Sequence, residues 1–261
     1  MNVFTVLFTL PGKDPEENKY VKMAHMMFYS LRLAGHGDRF YLMADDLTWA
    51  AFRKHDLSGA RDVIHVVIPR PATLLEGIAR RYEFFNRVGA YSTEETYHYL
   101  DVDHLCVKPF KLALSPDTIA VLPEGGREDP NYCGEGAWAR LDHHGLAAGF
   151  WAIRPGPDML ALLDEICASV RRGPHNFYTC EQPHFNATIT NKTRAVYFDP
   201  ALVSFNGHGV NEKTRFLNLA GCPGDADFHY EKMAAICLNW GWGVRQGPEG
   251  PLTLTPPPRA L

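Results

Sequence analysis

Apolar and β-branched residues fill positions 3–9 ("VFTVLFT") almost without interruption, the pattern of a strand covered on both faces. Over 19–34 the period changes: Tyr20, Ala24, Met27, Phe28 and Leu31 recur three or four residues apart and predict a helix. The alternation then repeats. Segments 39–45 ("RFYLMAD") and 62–69 ("DVIHVVIP") predict the second and third strands, with a short helix at 47–55 between them. A helix is predicted over 74–89 and a fourth strand over 96–103 ("TYHYLDVD"). Further strands are predicted at 118–124, 145–155, within 194–205 and at 214–221, and helices at 156–172 and 227–240. Strands separated by helices imply an α/β, mostly parallel central sheet flanked by helices on both faces. No linker-like shift in composition divides the chain. The expectation is one domain over 1–247, with the proline-rich 248–261 as a peripheral or frayed tail.

Composition narrows the classes of function. The chain has 261 residues, 46% of them hydrophobic and 21% charged, and a formal net charge of −4, so no global basic field invites nucleic acid. The dipeptides Arg80-Arg81 and Arg171-Arg172 are too short to form a nucleic-acid patch. No apolar run approaches membrane-spanning length, and no charged segment followed by a long apolar stretch opens the chain. The six cysteines show no CxxC spacing and are expected as reduced, partly buried thiols. Together these features predict a cytoplasmic protein, free or peripheral to a membrane.

The chemistry concentrates in "TYHYLDVDHLCVKPF" (96–110), where Asp101 and Asp103 close an apolar run. Ionised carboxylates are costly to bury unless a cation meets them. Residues i and i+2 of a strand share a face, so Asp101 and Asp103 are predicted to converge there while Val102 turns into the core. In a parallel sheet ligands gather at such carboxyl ends. Paired hard oxygen ligands suit Mg²⁺ or Mn²⁺ shared with substrate phosphates.

"YHYLDVDHLCVKPF" resembles the DxD strand of GT-A-fold (Rossmann-like) glycosyltransferases, especially glycosyltransferase family 8 and its relatives. Four other segments match in the same order: "KYVKMAHMMFYSLRLAG" (19–35), "LAAGFWAIRPGPDMLALLDEI" (146–166), "CEQPHFN" (180–186) and "FLNLAGCPG" (216–224). The resemblance covers nearly the whole chain. It implies a transferase carrying Mn²⁺ or Mg²⁺ on Asp101 and Asp103, a nucleotide-sugar donor with UDP as the expected nucleotide, and a glycan or small-molecule acceptor. It also implies that Thr9 and Leu10 meet the nucleotide, that Arg81 lies by the diphosphate, and that Glu181 and Gln182 face the reacting sugar carbon, with retention of configuration. Three positions depart from the family pattern: Ala147 replaces an asparagine, Glu181 an aspartate, and Asn218 the late metal-binding histidine. Asn218, nearby His208 or His229, or water would then complete the cation's shell.

The remaining candidates have ordinary structural readings beside them. Asp45 suits either a base or ribose edge or a turn cap. Arg80 and Arg81 could simply be solvated, Glu181-Gln182 a helix cap, and His104 a cap on its turn. His143-His144 is expected at the surface, since no second ligand stands at metal spacing. Trp138, Trp151, Trp240 and Trp242 could stack on a sugar, "NWGWG" (239–243) most of all. Two other functions share these features: an inactive transferase fold kept as a sugar- or protein-binding module, and a haloacid-dehalogenase-type phosphohydrolase. The second usually opens its domain with DxD, whereas about a hundred residues precede it here.

Overall fold

The computed structural model describes residues 1–37, 39–54, 62–133, 140–173, 181–190, 192–206, 210–219, 226–239, 243–246 and 252–255. Strands β1 (Asn2–Leu7), β2 (Phe40–Ala44), β3 (Val63–Val67), β4 (Tyr97–Leu100), β6 (Thr118–Gly125), β7 (Gly145–Arg154) and β8 (Ala195–Tyr197) form a seven-stranded sheet in the order β3-β2-β1-β4-β7-β6-β8. The pairs among β3, β2, β1 and β4 are parallel, as is β6 with β8, whereas β7 runs antiparallel to both β4 and β6. The sheet is therefore mostly parallel, and strand order reverses beside β4.

Period-two alternation distributes the strands' side chains between two cores. Val3, Leu7, Phe40, Leu42 and Leu100 pack beneath α1 (Lys19–Leu33), while Phe4, Tyr41, Met43, Tyr99 and Trp151 pack beneath α5 (Pro157–Arg172). Helix α2 (Asp46–Lys54) and helix α7 (Ala226–Asn239) lie against α1. Trp151 is wholly buried in the second core, so it is not part of a sugar platform. The other three tryptophans considered for that role, Trp138, Trp240 and Trp242, lie outside the described residues.

The predicted helix over 74–89 breaks into three: α3 (Leu74–Ala79), a 3₁₀ turn over Arg80–Glu83 and α4 (Phe84–Arg87). The tighter turn shifts the angular step per residue, and Arg81 and Tyr82 both face inward, 5% and 1% exposed. Arg80 is buried as well, its guanidinium 2.5 Å from Glu76 and 3.1 Å from Glu83. Neither arginine is solvated. Segment 194–205 holds two strands, β8 and β9 (Val203–Phe205), and β9 joins β10 (Phe216–Asn218) and β5 (His104–Cys106) in a small second sheet. Within the expected tail, β12 (Leu252–Thr255) pairs antiparallel with β11 (Gly243–Gln246). No helix of the described residues is long and apolar enough to cross a membrane.

Candidate active site

The fourth strand ends at Leu100, three residues earlier than the pattern predicts. Asp101 N–H still donates to Gly149 O (2.9 Å), and His104 N–H donates back to Asp101 O (3.2 Å), closing a turn before β5 begins. The two aspartates thus sit on a turn at the carboxyl end of β4 and do not share a strand face. Val102 between them does enter the first core. A DxD at the end of the fourth strand differs from the phosphohydrolase plan, where it follows the strand that opens the domain.

Strand β7 is the spine of the site. Asn186, on α6 (Gln182–Thr188), accepts from Leu146 N–H (2.7 Å) and donates to Leu146 O (3.0 Å), fastening that helix to the strand. Two residues on, Ala148 N–H donates to Gln182 Oε1 (2.8 Å) and Ala148 O accepts from Arg81 Nη1 (3.4 Å). At Gly149 a Cβ atom would lie 2.5 Å from Asp101 Oδ2, so only the absent side chain leaves room for that carboxylate. His143, expected at the surface, is instead buried and bonds the carbonyls of Asn186 (3.0 Å) and Ile189 (2.6 Å) at the end of α6. Its role is structural: an apolar side chain would leave those carbonyls unmet.

Arg81 joins the two halves of the site. Its guanidinium lies 2.7 Å from Glu181 Oε1 and 3.4 Å from Asp101 Oδ1, and 4.7 Å above the Tyr99 ring. Burial opposes its charge, but Asp101 and Glu181 more than compensate and hold it protonated well above the usual arginine range. Tyr99 hydroxyl also donates to Asp101. The guanidinium ties Asp101 and Glu181 together. Glu181 is 7% exposed and its side chain caps no helix N–H. Burial pushes its carboxyl above the usual range, Arg81 opposing and Asp101 adding to the shift.

One acidic residue escaped the motif reading. Glu124, at the end of β6, and Gln182 both lie beside the Tyr132 hydroxyl and interact with it electrostatically. Desolvation raises the Glu124 carboxyl; the Tyr132 hydroxyl and the His104 charge oppose that, and Asp103 reinforces it. Tyr132 lies across β6 and β7 where Gly125 and Gly145 have no side chain to obstruct its ring. A glutamate two residues before a cluster of turn residues gave no periodic signal; the two glycines flanking the ring were the trace it left.

Other predicted residues divide. Thr9 and Leu10 lie past the end of β1, but their carbonyls are taken by Arg70 (3.1 and 3.2 Å), and Thr9 hydroxyl by Asn18 (2.9 Å) and Thr48 (3.2 Å). Asp45 is the turn cap: it accepts from Leu47 and Thr48 N–H, both at 3.2 Å, and from Thr48 hydroxyl at 2.7 Å. Asp103 Oδ1 lies 3.0 Å from His104 Nδ1, and Asn218 pairs with His104 across the β5–β10 ladder. His104 does bond its turn, through Asp101 O at 3.0 Å, yet it is wholly buried. His208 and the side chain of His229 fall outside the described residues.

The charge balance bears on what can bind. Among the described residues, Asp101 and Glu181 flank Arg81, and Asp103 lies beside His104. An anionic ligand would be repelled from such a cluster unless a cation accompanied it. The donors available, carboxylate oxygens on a turn with space preserved by Gly149, are the hard type that Mg²⁺ and Mn²⁺ prefer. No cluster of three His, Cys, Asp or Glu ligands occurs among the described residues.

Among solved structures, the chain is similar to the galactosyltransferase LgtC in complex with donor and acceptor sugar analogues, with a TM-score of 0.56 and 11% identity over 90% of this chain and 96% of that one. An active-site glutamine-to-glutamate mutant of LgtC matches comparably, with a TM-score of 0.55 and 11% identity over the same shares. No protein-family model and no curated protein matches the sequence. At this identity the likeness establishes the fold: a GT-A-type α/β domain.

Proposed function

We propose that this protein is a nucleotide-sugar glycosyltransferase that uses Mn²⁺ or Mg²⁺, with residues 1–247 as the transferase unit. One observation carries the reading. Asp101, at the end of β4, and Glu181, at the head of α6, are drawn to the same buried guanidinium in a fold shared with a galactosyltransferase. A DxD without that convergence would be an ordinary acidic turn.

In this reading Asp101 and Asp103 hold the cation, which when bound neutralises the departing diphosphate. Arg81 keeps Asp101 and Glu181 apart at a set spacing and so positions both. Glu181 and Gln182 border the sugar carbon. Gln182 accepts from Ala148 N–H, and Glu181 is suited to stabilise a developing positive charge. Retention of configuration follows from the family resemblance only. Glu124, with its raised carboxyl, is suited to accept a proton or hydrogen bond from the acceptor hydroxyl. UDP is the expected nucleotide and a saccharide the expected acceptor, in keeping with the sugar analogues bound to LgtC. The buried thiols of Cys106, Cys133, Cys167 and Cys237 suit a reducing, cytoplasmic setting.

The test is a panel of nucleotide-sugars screened by thermal shift with and without Mn²⁺, followed by donor hydrolysis. A metal-dependent rise in melting temperature with one donor, lost in Asp103→Ala while that variant stays folded, is the expected result. Unchanged UDP–Mn²⁺ affinity in Asp103→Ala refutes the site. Binding without any turnover favours the non-catalytic module.

A further inference from the structure

Directly after the DxD stands a histidine that the proposed chemistry does not use, and its surroundings are specific. His104 has no exposed surface, and its ring lies 5.6 Å from Phe150 in the first core. Its Nδ1 is 3.0 Å from Asp103 Oδ1 and 3.0 Å from Asp101 O. Its Nε2 is 2.9 Å from Asn218 Nδ2. A wholly buried imidazole must have both nitrogens met, and here Nδ1 donates to the Asp101 carbonyl with the Asp103 carboxylate alongside it, while Nε2 meets an amide.

The backbone enforces this arrangement. Antiparallel pairing of β5 with β10 sets Asn218 opposite His104. Leu219 N–H donates to Asp103 O (3.0 Å), and Asn206 N–H donates to Asn218 O (2.7 Å), so both ends of the chain of side chains are pinned. An amide suits the distal position whichever nitrogen carries the proton. It donates through nitrogen to a neutral Nε2, or after a flip accepts through oxygen from Nε2–H.

We infer that His104 is the positioning residue of Asp103, fixing its carboxylate for the cation, and that Asn218 serves the site by bracing this imidazole and not as a ligand of the metal. The inference rests on the reading of Asp101 and Asp103 as cation ligands. It explains why an asparagine can stand where related sequences are expected to carry a metal-binding histidine. The side chain has been recruited one shell outward, where outer partners of a ligand still affect affinity.

The experiment is a double-mutant cycle of His104→Phe and Asn218→Leu, read as Mn²⁺ affinity in the presence of UDP by electron paramagnetic resonance, with melting curves on every protein. His104→Phe is expected to weaken Mn²⁺ binding by about 10- to 100-fold, and Asn218→Leu by a smaller factor. The double variant is expected to be no weaker than His104→Phe alone, because both act through one imidazole. Asn218→His, placed against the imidazole, is expected to bring no gain in affinity. If the two losses multiply, or if Asn218→His tightens Mn²⁺, Asn218 touches the metal and the inference is overturned. Should the phenylalanine variant fail to fold, His104→Gln carries the same cycle with a side chain that keeps one polar contact. Wild-type protein that takes up no Mn²⁺ with UDP overturns the cation reading and this inference with it. Wild-type uptake with an additive cycle overturns the inference alone.

Discussion

Gly149→Ala separates the site from the fold more sharply than removal of a carboxylate. The added Cβ would lie 2.5 Å from Asp101 Oδ2 and 3.2 Å from its Cγ, where ordinary contact begins at 3.4 Å. The carboxylate must therefore retreat by about 0.9 Å, since the strand backbone on the other side is held by the Asp101 N–H to Gly149 O bond. Retreat disturbs its ion pair with Arg81 and its hydrogen bond from Tyr99, and a hydrogen bond to a charged group contributes roughly 1.5–3 kcal/mol. Against that, alanine in place of glycine within a strand recovers about 0.5–1 kcal/mol. Net destabilisation is thus about 1–2 kcal/mol, a modest fall in melting temperature. Misplacing a reacting or ligating group by about 1 Å can cost roughly 100-fold. UDP–Mn²⁺ titration calorimetry and donor turnover should show a loss of that order. Gly126→Ala, where an added Cβ meets nothing within 4 Å, is the silent control. If Gly149→Ala binds UDP–Mn²⁺ within twofold of wild type and turns over normally, the Asp101 carboxylate is not a ligand in its present position.

Arg81→Met should cost about 3–5 kcal/mol in urea denaturation, because Asp101 and Glu181 lose their shared buried cation. The deficit should shrink at pH 5, as Glu181 is already pushed up by burial and protonates readily, and Glu181→Gln in the same protein should recover part of it. An unchanged denaturation curve would refute the bridging role. At the other end of β4, burial lowers the His98 imidazole from 6.5 to about 3, with the N-terminal charge and His36 adding to the shift. The unfolded chain then binds a proton near pH 6.5 that the native ring refuses, so stability is fully present above that pH. It is lost at about 1.4 kcal/mol per unit as pH falls toward 3. His98→Phe should flatten that slope by one proton, and an identical slope in the variant would show that the native ring is not held neutral.

Periodicity alone carried the order of elements, since the spacing of apolar residues reports the local geometry that each segment must bury. It located the two cores by alternation along the strands and brought Asp101 and Asp103 to the carboxyl end of β4. Local pattern could not say where a strand stops. Whether β4 continues past Leu100 depends on β7, and there Asp101 bonds Gly149 and turns away. The helix over 74–89 likewise read as continuous because its apolar spacing permits that, yet packing of Arg80, Arg81 and Tyr82 tightened it into a 3₁₀ turn. The charged partners were still less legible. Arg81 with Glu181, His104 with Asn218 and Glu124 with Tyr132 come from separate segments, and which carboxylate a buried cation meets is decided only by how those segments pack. Sequence determines what each segment must hide; the assembled sheet determines which polar groups are hidden together, because desolvation penalises every charge that fails to find its partner.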